Sequence, residues 1–112
     1  MYIGEAAKIT GLSIKAIRFY EEKELIKAPK REGRYRVYNQ TDLELLVLIR
    51  EARELDISLA QLQGIIVYKN GEVDWARIKA FLDDIKAKLR AQIAEIEQKI
   101  INIDVCYQQI KA

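Results

Sequence analysis

Large apolar residues recur along the last third of the chain at intervals of three and four, and this periodicity constrains the fold more than any other feature. Pro and Gly are absent from residues 74–112. The spacing therefore predicts one long helix with a heptad seam and a single four-residue stutter between Leu89 and Ile93. The seam consists of Ile78, Leu82, Ile85, Leu89, Ile93, Ile96, Ile100, Ile103, Tyr107 and Ile110.

A helix of this length cannot bury one continuous apolar stripe against its own small domain. At ~1.5 Å per residue, residues 74–112 would form a rod of roughly 55 Å. A head of about 70 residues has a radius of only about 11–13 Å. The seam therefore predicts a partner helix, and the simplest partner is a second copy of the chain in a two-fold homodimer.

Composition excludes several classes of function. The 112 residues include one Cys and no His, which rules out an internal disulfide and disfavours His-based catalysis and most Cys/His metal cages. There is no Gly-rich phosphate loop and no nucleophile paired with a base. The longest apolar run, Leu45–Ile49, is too short to cross a membrane. We expect a cytoplasmic protein that is not an enzyme and that uses no metal or other cofactor.

The charge is unevenly distributed along a chain whose formal net charge is only +2. Residues 1–40 carry an excess of Lys and Arg, and residues 41–72 carry an excess of Asp and Glu. The basic excess is densest from Lys27 to Arg36, where Glu32 is the only acidic residue. Such a segment is typical of surfaces that bind polyanions, although a solvated loop would have the same composition.

Residues 3–23 predict two short helices joined by a tight turn. Thr10-Gly11 ends the first helix, because Gly is the usual residue after a helix C-terminus. Ser13 is a typical N-cap for the second helix, whose Ile14 and Ile17 are expected to face the core. This arrangement matches a helix-turn-helix, a corner that many small helical domains also contain.

Residues 26–38 predict a basic two-stranded hairpin, or wing. Pro29 and Gly33 interrupt the segment, and its Tyr and Val residues favour extended backbone. A second helix pair is expected at about residues 41–69, followed by Asn70-Gly71 as a stop signal. The expected domains are thus a winged helix-turn-helix unit at 1–70 and the long helix at 74–112.

The order of these motifs resembles the MerR family of transcriptional regulators. The resemblance is carried by Ile3–Ala7, Thr10–Ser13, Ile17–Glu21 and Gly33–Tyr38. It implies a mainly α fold, a winged helix-turn-helix followed by a long C-terminal helix that forms an antiparallel coiled coil in a dimer. It also implies a homodimer that binds a pseudo-palindromic operator in promoter DNA and remodels the promoter spacer for RNA polymerase.

The residues expected to contact double-stranded DNA lie on the second helix and the wing. Lys15 and Arg18 can reach phosphates or guanine edges, and the free N–H groups after Ser13 favour an anion. Core packing is the alternative interpretation for Tyr20 and Tyr38, and it is favoured for Tyr20. The full expected set is Ser13, Lys15, Arg18, Phe19, Tyr20, Lys30, Arg34, Tyr35, Arg36 and Tyr38.

The chain departs from the family pattern at three positions. Phe19 stands where the family usually has Tyr, which removes a hydroxyl group. Glu24 and Asp56 stand where the family usually has Gly, so residues less tolerant of positive φ must occupy two turns.

Cys106 is the one candidate sensor residue. A single thiolate is a poor ligand set, so a small apolar filler is the alternative interpretation, and a redox-sensitive thiol remains open. Two other functions also remain open. One is an architectural, excisionase-like DNA-bending protein, and the other is a coiled-coil adaptor that binds no DNA.

Overall fold

The computed structural model describes all residues, Met1–Ala112, and is mainly helical. The elements in chain order are α1 (Ile3–Thr10), α2 (Ile14–Glu22), β1 (Lys30–Glu32), β2 (Tyr35–Val37), α3 (Gln40–Glu54), α4 (Leu59–Ile65), β3 (Tyr68–Lys69), β4 (Glu72–Val73) and α5 (Trp75–Gln108). They form two compact units, Met1–Val73 and Asp74–Ala112. The predicted fold class, an N-terminal winged helix-turn-helix and a long C-terminal helix, is confirmed.

The corner between α1 and α2 is built from the predicted capping residues. Gly11 follows α1 with φ 75°, and its N–H donates to the Ala7 carbonyl at 3.0 Å. The Ser13 hydroxyl caps α2 by accepting a hydrogen bond from the Ala16 N–H at 3.0 Å. Arg50 of α3 donates through Nη1 to the Thr10 carbonyl, so the turn before α2 is tied to the third helix.

The core of the first unit is organised around α3. This helix begins with a capping box, in which Asn39 Oδ1 accepts from the Asp42 N–H at 2.8 Å and Asp42 Oδ2 accepts from the Asn39 N–H at 3.0 Å. Its apolar face is buried together with residues of α2 and of the segment that follows α2. The largest fully buried apolar side chains are Ile17, Leu25, Ile26, Leu45, Leu46 and Ile49.

The sheets are two separate antiparallel hairpins. In the wing, Lys30 pairs with Val37 and Glu32 pairs with Tyr35. The second hairpin, β3–β4, was not predicted, and the expected helix pair at about 41–69 ends instead at Ile65. Asn70-Gly71 forms the tight turn of this hairpin with φ 55° and 79°, values typical of a hairpin turn rather than of a helix stop.

The last unit is a single helix, α5, of 34 residues, or about 51 Å at ~1.5 Å per residue. Asp74 caps it through Oδ1, which accepts from the Arg77 N–H at 3.1 Å. The prediction of helix to residue 112 was wrong at the end, because α5 stops at Gln108 and Ile110 lies beyond it. No helix is both long enough and apolar enough to span a membrane.

Besides Asn70, two non-glycine residues lie in the left-handed region, at the two turns where the departures from the family pattern predicted them. Glu24 has φ 61° in the turn after α2, and Asp56 has φ 63° in the turn after α3. A side chain with a Cβ atom is strained in this region, so both turns carry a local conformational cost.

Candidate nucleic-acid interface

Helix α2 is amphipathic, and its polar side is available to a ligand. Ile17 is completely buried, whereas Lys15 and Arg18 are exposed and Phe19 is 41% exposed. Ile14 was expected in the core, but it is 40% exposed. The exposed side of α2 thus presents two cations and an aromatic ring directly after the Ser13 cap.

The aromatic residues of α2 form a small cluster at the edge of this surface. The Phe19 and Tyr20 rings are tilted, with centroids 5.7 Å apart, and Tyr20 is half-buried. The Lys23 ammonium lies 5.6 Å from the centroid of the Phe19 ring. Phe19 therefore offers a ring face with an adjacent cation, which suits contact with a sugar or a phosphate.

The wing supplies a second basic surface. Lys30, Arg31 and Arg34 are exposed along β1 and the turn, and Tyr35 is 64% exposed on β2. The Tyr35 ring packs against Tyr2, with centroids 5.5 Å apart. Because these cations have no acidic partner within ion-pair distance, they are available to phosphate groups.

Glu21 links the two surfaces. Arg36 Nε donates to Glu21 Oε1 at 2.7 Å, and the Tyr38 hydroxyl donates to Glu21 Oε2 at 3.2 Å. The Glu21 side chain is only 9% exposed. Burial, reinforced by the neighbouring Glu21 carboxylate, raises the pKa of Tyr38 to about 12.

This arrangement corrects the expectation for Tyr38. Its side chain is 2% exposed, so it has almost no surface to offer DNA and acts instead as a donor to Glu21. Its backbone also pairs with Met1, because the Tyr38 N–H donates to the Met1 carbonyl at 2.7 Å. Arg36 remains 34% exposed but is engaged with Glu21.

A cleft of about 690 Å³ lies between the end of α2, the wing and the second hairpin. Arg18, Glu21, Lys27, Arg36 and Tyr68 are among its lining residues. The Lys27 N–H donates to the Tyr68 hydroxyl at 3.3 Å, and the Lys27 ammonium lies 4.2 Å from the Tyr68 ring centroid. Sequence reasoning missed both this contact and the role of Glu21, since each joins segments that are far apart in the chain.

The seam of α5 is exposed over most of its length. Ile78 is an exception, because it is 4% exposed within the single chain and has no surface left for a partner. Ile85 is half-buried. The remaining seam residues are between 38% and 76% exposed: Leu82, Leu89, Ile93, Ile96, Ile100, Ile103, Tyr107 and Ile110.

Cys106 is exposed on α5 in the single chain, beside the seam residue Tyr107. No group of three or more Cys, Asp or Glu side chains lies close enough together to hold a metal ion. The structure brings the α2 and wing residues into one region, and Cys106 lies apart from them on α5.

Two family models match the chain. The model described as "MerR HTH family regulatory protein" matches residues 1–69, and the model described as "MerR, DNA binding" matches residues 43–110. Together the two matched ranges cover both structural units.

Similar proteins are regulators of transcription. The chain is 41% identical to the HTH-type transcriptional regulator CueR of Escherichia coli O6:H1 over 113 aligned positions, which cover 100% of this chain and 79% of CueR. The fold is similar to that of PbrR691 from Ralstonia metallidurans, solved in complex with lead(II), with a TM-score of 0.59, 24% identity and coverage of 100% of this chain and 88% of that one. It is also similar to HiNmlR, described as a MerR family regulator lacking the sensor domain and solved on promoter DNA, with a TM-score of 0.61, 22% identity and coverage of 97% and 86%.

Proposed function

Because the chain belongs to the MerR family of transcriptional regulators, we propose that α2 and the wing are the surfaces with which a homodimer of this protein reads a promoter operator. The protein is a DNA-binding regulator of transcription and not an enzyme. Family members bind promoter DNA, typically as dimers. The family assignment replaces the excisionase-like and adaptor alternatives.

The observation that carries the proposal is the division of α2 into a buried and a basic side. Ile17 fixes the helix in the core, and Lys15 and Arg18 project from the exposed side. A helix held in this way can enter a major groove, where Arg makes paired hydrogen bonds with guanine. We assign base recognition to Arg18 and phosphate contact to Lys15 and to the N–H groups near Ser13.

We assign the wing to the sugar-phosphate backbone beside the groove. Lys30, Arg34 and Tyr35 are exposed on one short hairpin. Such contacts orient a protein on the duplex and supply affinity that depends on salt, but they read little sequence. Phe19 and Tyr20 belong to the α2 surface, where their rings pack against each other.

We propose residues 1–70 as the DNA-binding unit and residues 74–112 as the dimerisation segment. The exposed stripe from Leu82 to Tyr107 has the heptad spacing with which a second copy pairs. Two-fold pairing of the long helices would place two α2 helices on separate half-sites, and the operator would then be pseudo-palindromic.

We further propose that the bound dimer remodels the promoter spacer, with RNA polymerase as the partner that then reads the promoter. Smooth bending of a DNA site of about 20–30 base pairs costs on the order of 1–6 kcal/mol, which contacts on both half-sites must offset. Transcription from the adjacent promoter, with and without the protein, tests this step directly.

The DNA-reading assignment is tested by comparing Arg18→Ala with Arg34→Ala. Arg18→Ala should lower the preference for the operator over random duplex, since one base contact provides about 1–3 kcal/mol of discrimination. Arg34→Ala should weaken binding to all duplexes alike and reduce the slope of log K against log salt by about 1.

Titration of both variants on operator and random DNA at several salt concentrations separates the two roles. Wild-type protein provides the reference ratio of affinities. Loss of discrimination in Arg34→Ala but not in Arg18→Ala would mean that the two surfaces have been assigned the wrong way round. Equal affinity of the wild type for operator and random DNA would contradict sequence-specific binding altogether.

A further inference from the structure

Glu21 is an acidic residue in the middle of a basic surface, and a direct DNA contact does not explain it. Its side chain is only 9% exposed, and both carboxylate oxygens accept hydrogen bonds from within the protein. A carboxylate placed near phosphates would weaken DNA binding by repulsion. Its presence there requires a compensating role.

The wing is held at its base by Glu21 and along β2 by the N-terminus, where Tyr2 packs on Tyr35 and Met1 pairs with the Tyr38 backbone. Its two strands have three residues each, and they pair only with each other. An isolated two-stranded hairpin is marginally stable at best, so its orientation must be fixed by contacts at its base. The bonds from Arg36 and Tyr38 to Glu21 are of this kind, because they join the β2 end of the wing to α2.

We propose that Glu21 is a positioning residue that holds the wing and the recognition helix α2 at a fixed mutual placement, so that both surfaces engage one duplex together. The inference rests on the proposed function of α2 and the wing. Glu21 acts through Arg36, whose guanidinium it orients with a charge-assisted hydrogen bond of 2.7 Å. The Tyr38 hydroxyl occupies the second oxygen and prevents the carboxylate from rotating towards DNA.

This role predicts an unusual sign for a charge-removing variant. Removal of a carboxylate from a DNA-facing surface ordinarily strengthens binding, since repulsion of the phosphates decreases. Glu21→Gln should instead weaken binding, because Gln has no charge and only one acceptor oxygen for Arg36 and Tyr38. The wing is then held less firmly on α2, and the binding free energy must include the cost of ordering it.

Glu22→Gln is the matched control. Glu22 is the next residue on α2, is exposed and lines the same cleft. Arg36 and Tyr38 bond to Glu21 and not to Glu22. Glu22→Gln removes the same charge from almost the same place, so the affinity of this variant for operator should equal or exceed that of wild type. Glu21→Gln should bind about tenfold more weakly than Glu22→Gln, the equivalent of one charge-assisted hydrogen bond.

A double-mutant cycle with Arg36→Ala separates positioning from general loss of stability. If Glu21 acts through Arg36, Arg36→Ala should weaken operator binding markedly in the wild-type background. In the Glu21→Gln background the same substitution should weaken binding less than about twofold, because the effects of substituting two residues that act as a unit are not additive. Thermal unfolding of each variant verifies that the protein is folded at the assay temperature. A purely structural role would lower stability but would leave the two effects on binding additive.

Failure of the positioning role can be distinguished from failure of the proposed function by whether the wild type prefers the operator. If wild type binds the operator but Glu21→Gln binds as tightly as Glu22→Gln, or if the cycle is additive, the positioning role is overturned. Tighter binding by Glu21→Gln would overturn it as well, because Glu21 would then compete with DNA for Arg36. If the wild type does not prefer the operator, the proposed function itself fails.

Discussion

Replacement of Glu24 by Gly should stabilise the protein, although it removes a side chain. Glu24 lies in the turn after α2 with φ 61°, and its N–H donates to the Glu21 carbonyl at 3.0 Å. The side chain is exposed and lines the open cleft beside the wing. The main energetic consequence of Glu24→Gly is therefore on the backbone.

The magnitude follows from two opposing terms. A residue with a Cβ atom pays about 1–2 kcal/mol to occupy the left-handed region, and Gly does not. Gly also gives the unfolded chain more conformational freedom, which lowers stability by about 0.4–1 kcal/mol. The net gain should be about 0.5–1 kcal/mol, or roughly 2–4 °C in Tm for a chain of this size.

Thermal unfolding followed by circular dichroism measures this gain. Glu24→Ala is the control, because it removes the same carboxylate but retains Cβ and hence the strain. All variants should be compared at one protein concentration, since the stability of a dimer depends on concentration. A Tm for Glu24→Ala as high as that for Glu24→Gly would assign the effect to charge, and a lower Tm for Glu24→Gly than for wild type would refute the reasoning.

Three further predictions concern other parts of the fold. Gly11→Ala should destabilise the protein by at least about 1 kcal/mol, because φ is 75° and the new Cβ would lie 2.7 Å from Arg50 Nη1; denaturant unfolding measures the loss. As pH rises from 10 towards 12, wild type should lose more stability than Tyr38→Phe. The pKa of Tyr38 is raised to about 12 in the folded protein, so folding favours the protonated hydroxyl. The stability that this preference contributes is complete below pH 10 and is lost as the pH approaches 12. Parallel pH titrations of the unfolding free energy verify this, and identical curves would contradict it. Leu89→Asp should convert the proposed dimer to monomer in sedimentation experiments, whereas Ala91→Asp, with the same charge on the opposite side of α5, should not; a dimeric Leu89→Asp would place the interface elsewhere.

Local sequence signals predicted much of the fold because the physical cause in each case lies within a few residues. Ser13 and Gly11 mark helix ends through their own hydrogen bonds and φ values, and both occur as expected. The strain at Glu24 was likewise visible, since the turn requires a left-handed residue whichever side chain occupies it.

The wrong predictions, for Ile78 and for Asn70-Gly71, have a different cause. Ile78 fits the heptad spacing as well as Leu82 does, but periodicity does not tell which end of a stripe is already covered. Asn70-Gly71 is a strong hairpin signal that was interpreted as a helix stop, because the flanking strands of two residues are too short to show an alternating pattern.

The sequence predicted which cations lie at the candidate site, but it did not predict the contacts that join the wing to α2. The exposed cations of α2 and the wing could be identified from composition and spacing. The partnership of Glu21 with Arg36 and Tyr38 could not, because it depends on how the hairpin folds back on α2. Tyr38 was therefore expected at the DNA, whereas it lies beneath the surface.

The exposed apolar stripe of α5 has a consequence for how such a regulator responds to its own abundance. If only the paired species spans two half-sites, then below the dissociation constant of the pair the population of active molecules grows with the square of the total chain concentration. While the operator is far from saturated, a twofold change in synthesis would then produce about a fourfold change in promoter occupancy. The residues along one side of a helix would in this way determine the steepness of a genetic dose response.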